Sequence, residues 1–223
     1  MPRSQEAEGL VLDRQPAGER HLRLTLLTRT LGLVSALARE SRPAGAQAGA
    51  TARKRGAAPQ RPDIFDVAAV RLETPPAGGA HPQMYFLTEY KVLRRHAGLG
   101  RNYAALEAAA GLARLIRRNA THFETCAPVF DLGCKALEAL EGGAPPEAVR
   151  LKALYLLARA EGYAAREQWL PGLRPADATL ARSVLHRPVA EAAALAAGDL
   201  GRLAKLRQAF ERWLEEHTDM ELK

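Results

Sequence analysis

The stretch TLLTRTLGLVSALARESR, residues 25–42, predicts two β-strands joined by a tight turn. The first strand begins earlier, in HLRLTLLT (residues 21–28), where leucine at every second position alternates with polar residues. That period of two is typical of a strand with one buried side. The second strand ends in two arginines, Arg39 and Arg42. The binding partner of these cations is therefore the main functional question that the stretch raises.

The segments around this hairpin predict a small β-barrel. GLVLDR (residues 9–14), DIFDVAAVRLE (63–73) and MYFLTEYKVL (84–93) all have strand-like patterns, which gives five candidate strands in residues 1–95. Five strands are too few for a typical sandwich but fit a small closed barrel of the oligonucleotide-binding (OB) type.

The remainder of the chain predicts helices. Alanine, leucine, glutamate and arginine recur there with helical spacing, so we expect an α+β protein with a barrel domain, 1–95, and a helical bundle domain, 96–223. Asn102 is expected to cap the first long helix, with Leu106 on its buried side, and Asp177 is expected to cap a later one. The segment between the third helix and this later one, WLPGLRPAD, is predicted to be a loop.

Positive charge is concentrated in the first domain. The chain has 32 basic and 25 acidic residues, and residues 1–95 hold 15 of the basic and 9 of the acidic ones, a net of +6 out of +7. Residues 41–62 contain five basic residues, no acidic residue and no large apolar side chain, so we expect a mobile, positively charged loop. An anionic partner is the expected consequence.

The basic residues of the barrel are the candidate nucleic-acid contacts. They are Arg14, Arg20, Arg23, Arg39, Arg42, Arg53, Lys54 and Arg55. OB barrels bind single strands with such basic grooves and with exposed aromatic rings on which bases stack. We expect Phe65 and Phe86 in the core, which leaves Tyr85 or Tyr90 as the stacking ring. Solvated surface arginines are the simpler alternative for each cation taken singly.

The sequence carries no common motif of an enzyme or a metal site. The sequence contains no phosphate-binding loop, no nucleophile elbow and no His-Glu-x-x-His, and its six histidines are scattered. Cys126 and Cys134 form no Cys-x-x-Cys pair. We therefore expect a non-enzymatic protein without cofactor, metal or small-molecule substrate. No apolar run predicts a membrane span or a signal peptide, so a cytoplasmic location is expected.

Three segments resemble the bacterial recombination-mediator family RecO. The first covers residues 10–42, where the family has a strand ending in Arg, a Gly-Glu pair, an apolar strand ending in Leu-Thr, a Gly, and a strand leading into Ala-Arg-x-x-Arg. These features are Arg14, Gly18 with Glu19, Leu27 with Thr28, Gly32, and ARESR at residues 38–42. The others are FLTEYKVLRRHAGL (86–99), and VFDLGCKALEAL (129–140) followed by RLKALYLLARAEGY (150–163). Together they cover most of the chain in the family's order.

The resemblance implies an OB barrel followed by a helical domain. It implies binding to single- and double-stranded DNA, annealing of complementary strands, and contact with the single-strand-binding protein. With RecR as a second partner, such proteins load the recombinase at gaps and breaks. The family's basic barrel positions correspond here to Arg39 and Arg42. Many members also hold a zinc ion on two Cys-x-x-Cys pairs, but residues 161–177 contain no cysteine, so we predict no zinc.

The main hypothesis is therefore a DNA-binding and annealing protein of recombinational repair. Arg114, Arg117 and Arg118 on the first long helix are candidates for contacting an acidic partner tail, with a solvated helix face as the alternative. An RNA- or ribosome-associated assembly factor, and a protein adaptor whose basic loop contacts an acidic protein, remain the alternative functions. A hydrolase or nuclease ranks last, because no carboxylate cluster falls near the basic segments.

Overall fold

The structure, a computed structural model, describes residues 4–39, 62–74, 84–120, 126–189, 191 and 197–222. The chain divides into two compact units, residues 1–95 and 96–223. The predicted basic loop, residues 41–62, lies outside the described residues except for Pro62.

The first unit contains a closed five-stranded barrel, which confirms the barrel prediction. Its strands are β1 (Ser4–Pro16), β2 (His21–Thr28), β3 (Gly32–Arg39), β4 (Val67–Glu73) and β5 (Met84–Arg94). They pair in the order β1-β2-β3-β5-β4, and β4 closes on β1. All pairs are antiparallel except β3 with β5, which is parallel.

Alternating side chains fill the barrel. Leu22, Leu24 and Leu26 of β2 point inward and are buried, as the period of two in the sequence predicts. The turn into β3 is fixed by Thr28, a fully buried residue whose hydroxyl donates to the carbonyl of Gly32 and accepts from the amide of Leu31, each over 2.9 Å. Because these hydrogen bonds hold the turn, they fix the register of β2 against β3 from the pair next to the turn, Thr28 and Gly32.

The segment before β4 is a turn and not a strand, so the prediction of a strand from residue 63 is wrong there. Phe65 has a left-handed backbone (φ 67°), which breaks an extended chain. Its buried ring confirms its predicted place in the core, and its amide donates to the carbonyl of Val11 over 2.9 Å. Asp66 follows and is buried, accepting hydrogen bonds from the Tyr90 hydroxyl (3.0 Å) and the Asp63 amide (3.1 Å).

The second unit is helical. Its helices are α1 (Tyr103–Asn119), α2 (Cys126–Glu141), α3 (Pro146–Ala160), α4 (Ala165–Gln168), α5 (Pro175–His186) and α6 (Ala197–His217). The side chain of Asn102 accepts from the amides of Ala104 and Ala105, which confirms the predicted cap. The helical unit contains an aromatic cluster around Phe210. The centroid of its ring lies 4.5 Å from that of Trp169 and 5.8 Å from that of Trp213.

Three details of this unit differ from the predictions. Leu106 is 37% exposed and does not belong to the buried side of α1. Asp177 lies inside the first turn of α5 and pairs with Arg202 over 2.9 Å, so it is not the cap. The predicted loop before α5 contains a short 3-10 turn, Leu170–Gly172.

A buried amide holds the C-terminal segment against α1. Asn119 is 1% exposed; it donates to the carbonyls of Leu115 (2.8 Å) and Glu221 (2.9 Å) and accepts from the Glu221 amide (2.9 Å). Met220, which precedes Glu221, is also buried. The segment after α6 is therefore part of the folded unit.

Replacing this amide tests that attachment. We expect Asn119→Ala to lower the free energy of unfolding by about 1–3 kcal/mol, because the buried side chain loses three hydrogen bonds, two of them to the backbone of Glu221. Hydrogen exchange at the Glu221 amide should accelerate strongly. Asn102→Ala is the matched control: it should cost about 1 kcal/mol as a lost cap and leave the Glu221 amide protected. Unchanged exchange in Asn119→Ala would contradict this attachment.

The buried carboxyl of Asp66 gives a pH test. Burial raises the pKa of Asp66 above its ordinary 3.8, against the lowering effects of the Asp63 and Tyr90 hydrogen bonds and of Arg95. Between the unfolded-state pKa and the higher folded-state pKa, the native state binds more protons than the unfolded state. This group therefore makes unfolding easier as pH rises through the folded-state pKa. Urea unfolding of the native protein and Asp66→Asn should therefore give a stability difference that shifts in favour of the variant with rising pH above about 4. A difference independent of pH would refute the raised pKa.

Candidate nucleic-acid interface

The outer surface of β2, β3 and β5 carries a cation and an aromatic ring in one row. Arg23 on β2 is in register with Leu37 on β3, and Leu37 is in register with Phe86 on β5. Neighbouring strands lie about 4.8 Å apart, so the row spans roughly 10 Å from the Arg23 to the Phe86 backbone. Phe86 is 45% exposed, which is unusual for a ring in a barrel strand.

A second row lies two residues earlier on β2 and two residues later on β3. There Arg39 is in register with His21, and both side chains are exposed. Two residues of a strand advance about 6.8 Å. We call the surface formed by His21, Arg23, Leu37, Arg39 and Phe86 the barrel face.

The charges of the barrel face are unneutralised within the described part of the chain. Neither β2 nor β3 contains an acidic residue. Arg23 and Arg39 form no ion pair with any residue that the structure describes. Both cations are exposed, so their donors face solvent and can bind an anion.

The opposite side of the barrel differs in this respect. Arg71 of β4 pairs with Glu6 over 2.6 Å and also with Glu89, and Arg29 pairs with Glu8 over 3.0 Å. The hydrogen bond to Glu6 raises the pKa of Arg71. The arginines Arg71 and Arg29 are thus paired with glutamates of β1 and β5, whereas Arg23 of β2 and Arg39 of β3 pair with no described acidic residue.

Three aromatic residues of β5 have the opposite placement to the one predicted: Phe86 is exposed, and Tyr85 and Tyr90 pack against the core. Tyr85 and Leu87 pack against the barrel core, so Phe86 between them points outward, and its predicted core position is wrong. Tyr90 also packs against the core and donates its hydroxyl to Asp66, which removes it as a stacking ring; burial raises its pKa. The exposed ring of the site is therefore Phe86, which sequence reasoning missed.

The structure brings together only some of the predicted cations. Arg14 is in register with the buried Leu24, so it lies on the face opposite Arg23, and its guanidinium is 3.8 Å from Asp63. Arg20 is exposed in the turn between β1 and β2. The other predicted contacts, Arg42, Arg53, Lys54 and Arg55, lie outside the described residues. Arg23 and Arg39 are the two that share the barrel face.

The predicted partner-binding arginines lie on α1. Arg114 and Arg118 are exposed, and Arg117 is half-buried. In the described part of the chain, no group of three or more His, Cys, Asp and Glu could hold a metal ion. None of the helices described is long and apolar enough to cross a membrane.

Comparison of the chain with protein-family models and with curated protein sequences gives no significant match. Function is therefore inferred from the barrel face itself. Its chemistry is that of an exposed ring in the same row as one unneutralised arginine, Arg23, with a second, Arg39, in the next row.

Proposed function

We propose that the protein is a non-enzymatic binder of single-stranded nucleic acid and that the barrel face is its binding site. The observation that carries this proposal is the register of Arg23, Leu37 and Phe86 across three neighbouring strands. It sets a flat apolar ring about 10 Å from a cation, so that a base can stack while the backbone of the same strand reaches an arginine.

Stacking and charge supply different parts of the binding energy. Stacking of one base on an aromatic ring contributes about 1–3 kcal/mol. Each phosphate that Arg23 or Arg39 neutralises releases counterions, which makes the affinity depend on salt. A phenylalanine ring has no hydrogen-bonding groups, so base stacking on Phe86 tolerates any sequence.

The strand order of the barrel supports its assignment as an OB-fold. OB-folds are five-stranded Greek-key barrels that bind oligonucleotides on strands 2 and 3 and on the loop between strands 1 and 2. Here the unneutralised arginines are on β2 and β3, and Arg20 lies in the turn between β1 and β2.

The sequence resemblance to RecO extends the proposal to recombinational DNA repair. The protein would bind single- and double-stranded DNA, anneal complementary strands, and load the recombinase together with RecR and the single-strand-binding protein in the cytoplasm. Arginines that screen phosphate repulsion between two strands let base pairing supply the free energy of annealing.

Substitutions on the barrel face test the site. We expect Phe86→Ala to weaken binding of a labelled single-stranded oligonucleotide about 10-fold, because the stacking ring is lost. Arg23→Ala with Arg39→Ala should flatten the log–log salt slope by about 1.4, the value for two lost phosphate contacts with a single strand. Fluorescence anisotropy over a salt series measures both effects.

Matched controls separate the site from general surface effects. Leu93→Ala removes another exposed apolar side chain of β5, and Arg182→Ala removes an exposed arginine of the helical unit. Both should bind like the native protein. Equal affinity of Phe86→Ala and the native protein would reject the barrel face, and no native binding at low salt would favour the adaptor alternative. Structured RNA that outcompetes single-stranded DNA at equal salt would favour the RNA alternative.

A further inference from the structure

The outer face of α1 repeats the composition of the barrel face. Tyr103 begins the helix with 78% of its surface exposed, more than any other large hydrophobic residue that the structure describes as exposed. Arg114 and Arg118 are exposed on the same helix and form no ion pair with a described residue. We call Tyr103, Arg114 and Arg118 the α1 face.

Helical geometry places these three side chains on one side. At about 100° per residue, Arg114 is rotated roughly 20° and Arg118 roughly 60° from Tyr103. At about 1.5 Å per residue, they lie roughly 17 and 23 Å from it along the axis. That distance equals about five to seven nucleotides stacked at 3.4 Å.

The charge on this side of α1 is positive towards its C-terminal end. Arg117, which has an interaction partner in the structure, lies between Arg114 and Arg118. Glu107 is the exposed acidic residue of the same side, and it lies in the half that contains Tyr103. A polyanion is therefore attracted to the last turns of the helix, with the ring at the other end.

The shape of α1 favours nucleic acid over an acidic peptide. The hollow between α1 and α3, lined by Gly111 and Val149 among others, has a volume of about 10 Å³. This is about the space of one water molecule, so the hollow is not a deep pocket for an apolar side chain. A base needs no pocket, because it stacks on an exposed ring.

We propose that the α1 face binds a second single strand of nucleic acid while the barrel face holds the first. This inference rests on the proposed function, since annealing brings two strands together. The two faces belong to different compact units, so each nucleic-acid strand would bind to a separate unit. The role predicted for these arginines changes accordingly, from a protein contact to a nucleic-acid contact.

The stoichiometry of short oligonucleotides tests the proposal. Sedimentation velocity with saturating labelled, non-complementary octanucleotides should give two per protein for the native chain. Tyr103→Ala with Arg114→Ala and Arg118→Ala should give one, and the barrel triple variant Arg23→Ala, Arg39→Ala, Phe86→Ala should also give one. The α1 variant should anneal complementary strands at least fivefold more slowly than the native protein.

Two controls address folding and charge. Tyr103→Phe keeps the ring and should retain two oligonucleotides per protein. Arg166→Ala with Arg182→Ala removes two exposed arginines elsewhere in the helical unit and should also retain two. Unfolding curves that match the native protein exclude a loss of fold in the α1 variant.

The outcomes distinguish this proposal from the proposed function. No binding by the native chain would refute both. One oligonucleotide per native protein, lost only in the barrel variant, would refute the second site and leave the first intact. If the α1 variant still held two oligonucleotides but lost native binding to a labelled decaglutamate peptide, the α1 face would belong to an acidic protein partner.

Discussion

Closure of the barrel is the constraint on which the rest of this unit depends. Once Leu22, Leu24 and Leu26 are buried inside, the intervening residues must point outward, and Arg23 is one of them. The same rule acts on β5, where burial of Tyr85 and Leu87 forces Phe86 into solvent. The buried positions of each strand thus determine which of its residues face solvent.

The distribution of ion pairs gives the barrel two unlike sides. Exposed ion pairs add little stability, generally below about 1 kcal/mol each. Their effect on binding is larger, because Glu6 and Glu89 cancel the field of Arg71, whereas no described residue cancels that of Arg23 or Arg39. An approaching polyanion is therefore directed to β2 and β3 by the absence of glutamate there as much as by the presence of arginine.

Much of the barrel could be predicted from the sequence, because period-two leucines and turn residues are local signals. Arg23 was predicted from the polar face of the same leucine pattern, and Arg39 from its place at the end of the third strand. Phe86 was not, since MYFL is apolar at every position and its alternation becomes visible only when register with β3 is known. The turn at Phe65 was missed because its left-handed backbone depends on hydrogen bonds to Val11, which is distant in sequence.

Attachment of the C-terminal segment to Asn119 also constrains the order of events during synthesis. Glu221 follows Asn119 by 102 residues, and at about 5–20 residues per second a ribosome needs roughly 5–20 s to add them. All five barrel strands end by Arg94, so the barrel has its complete set of strands before this interval begins. Asn119 therefore lacks its Glu221 partner throughout this interval, so the helical unit completes its fold only after all five barrel strands have been synthesised.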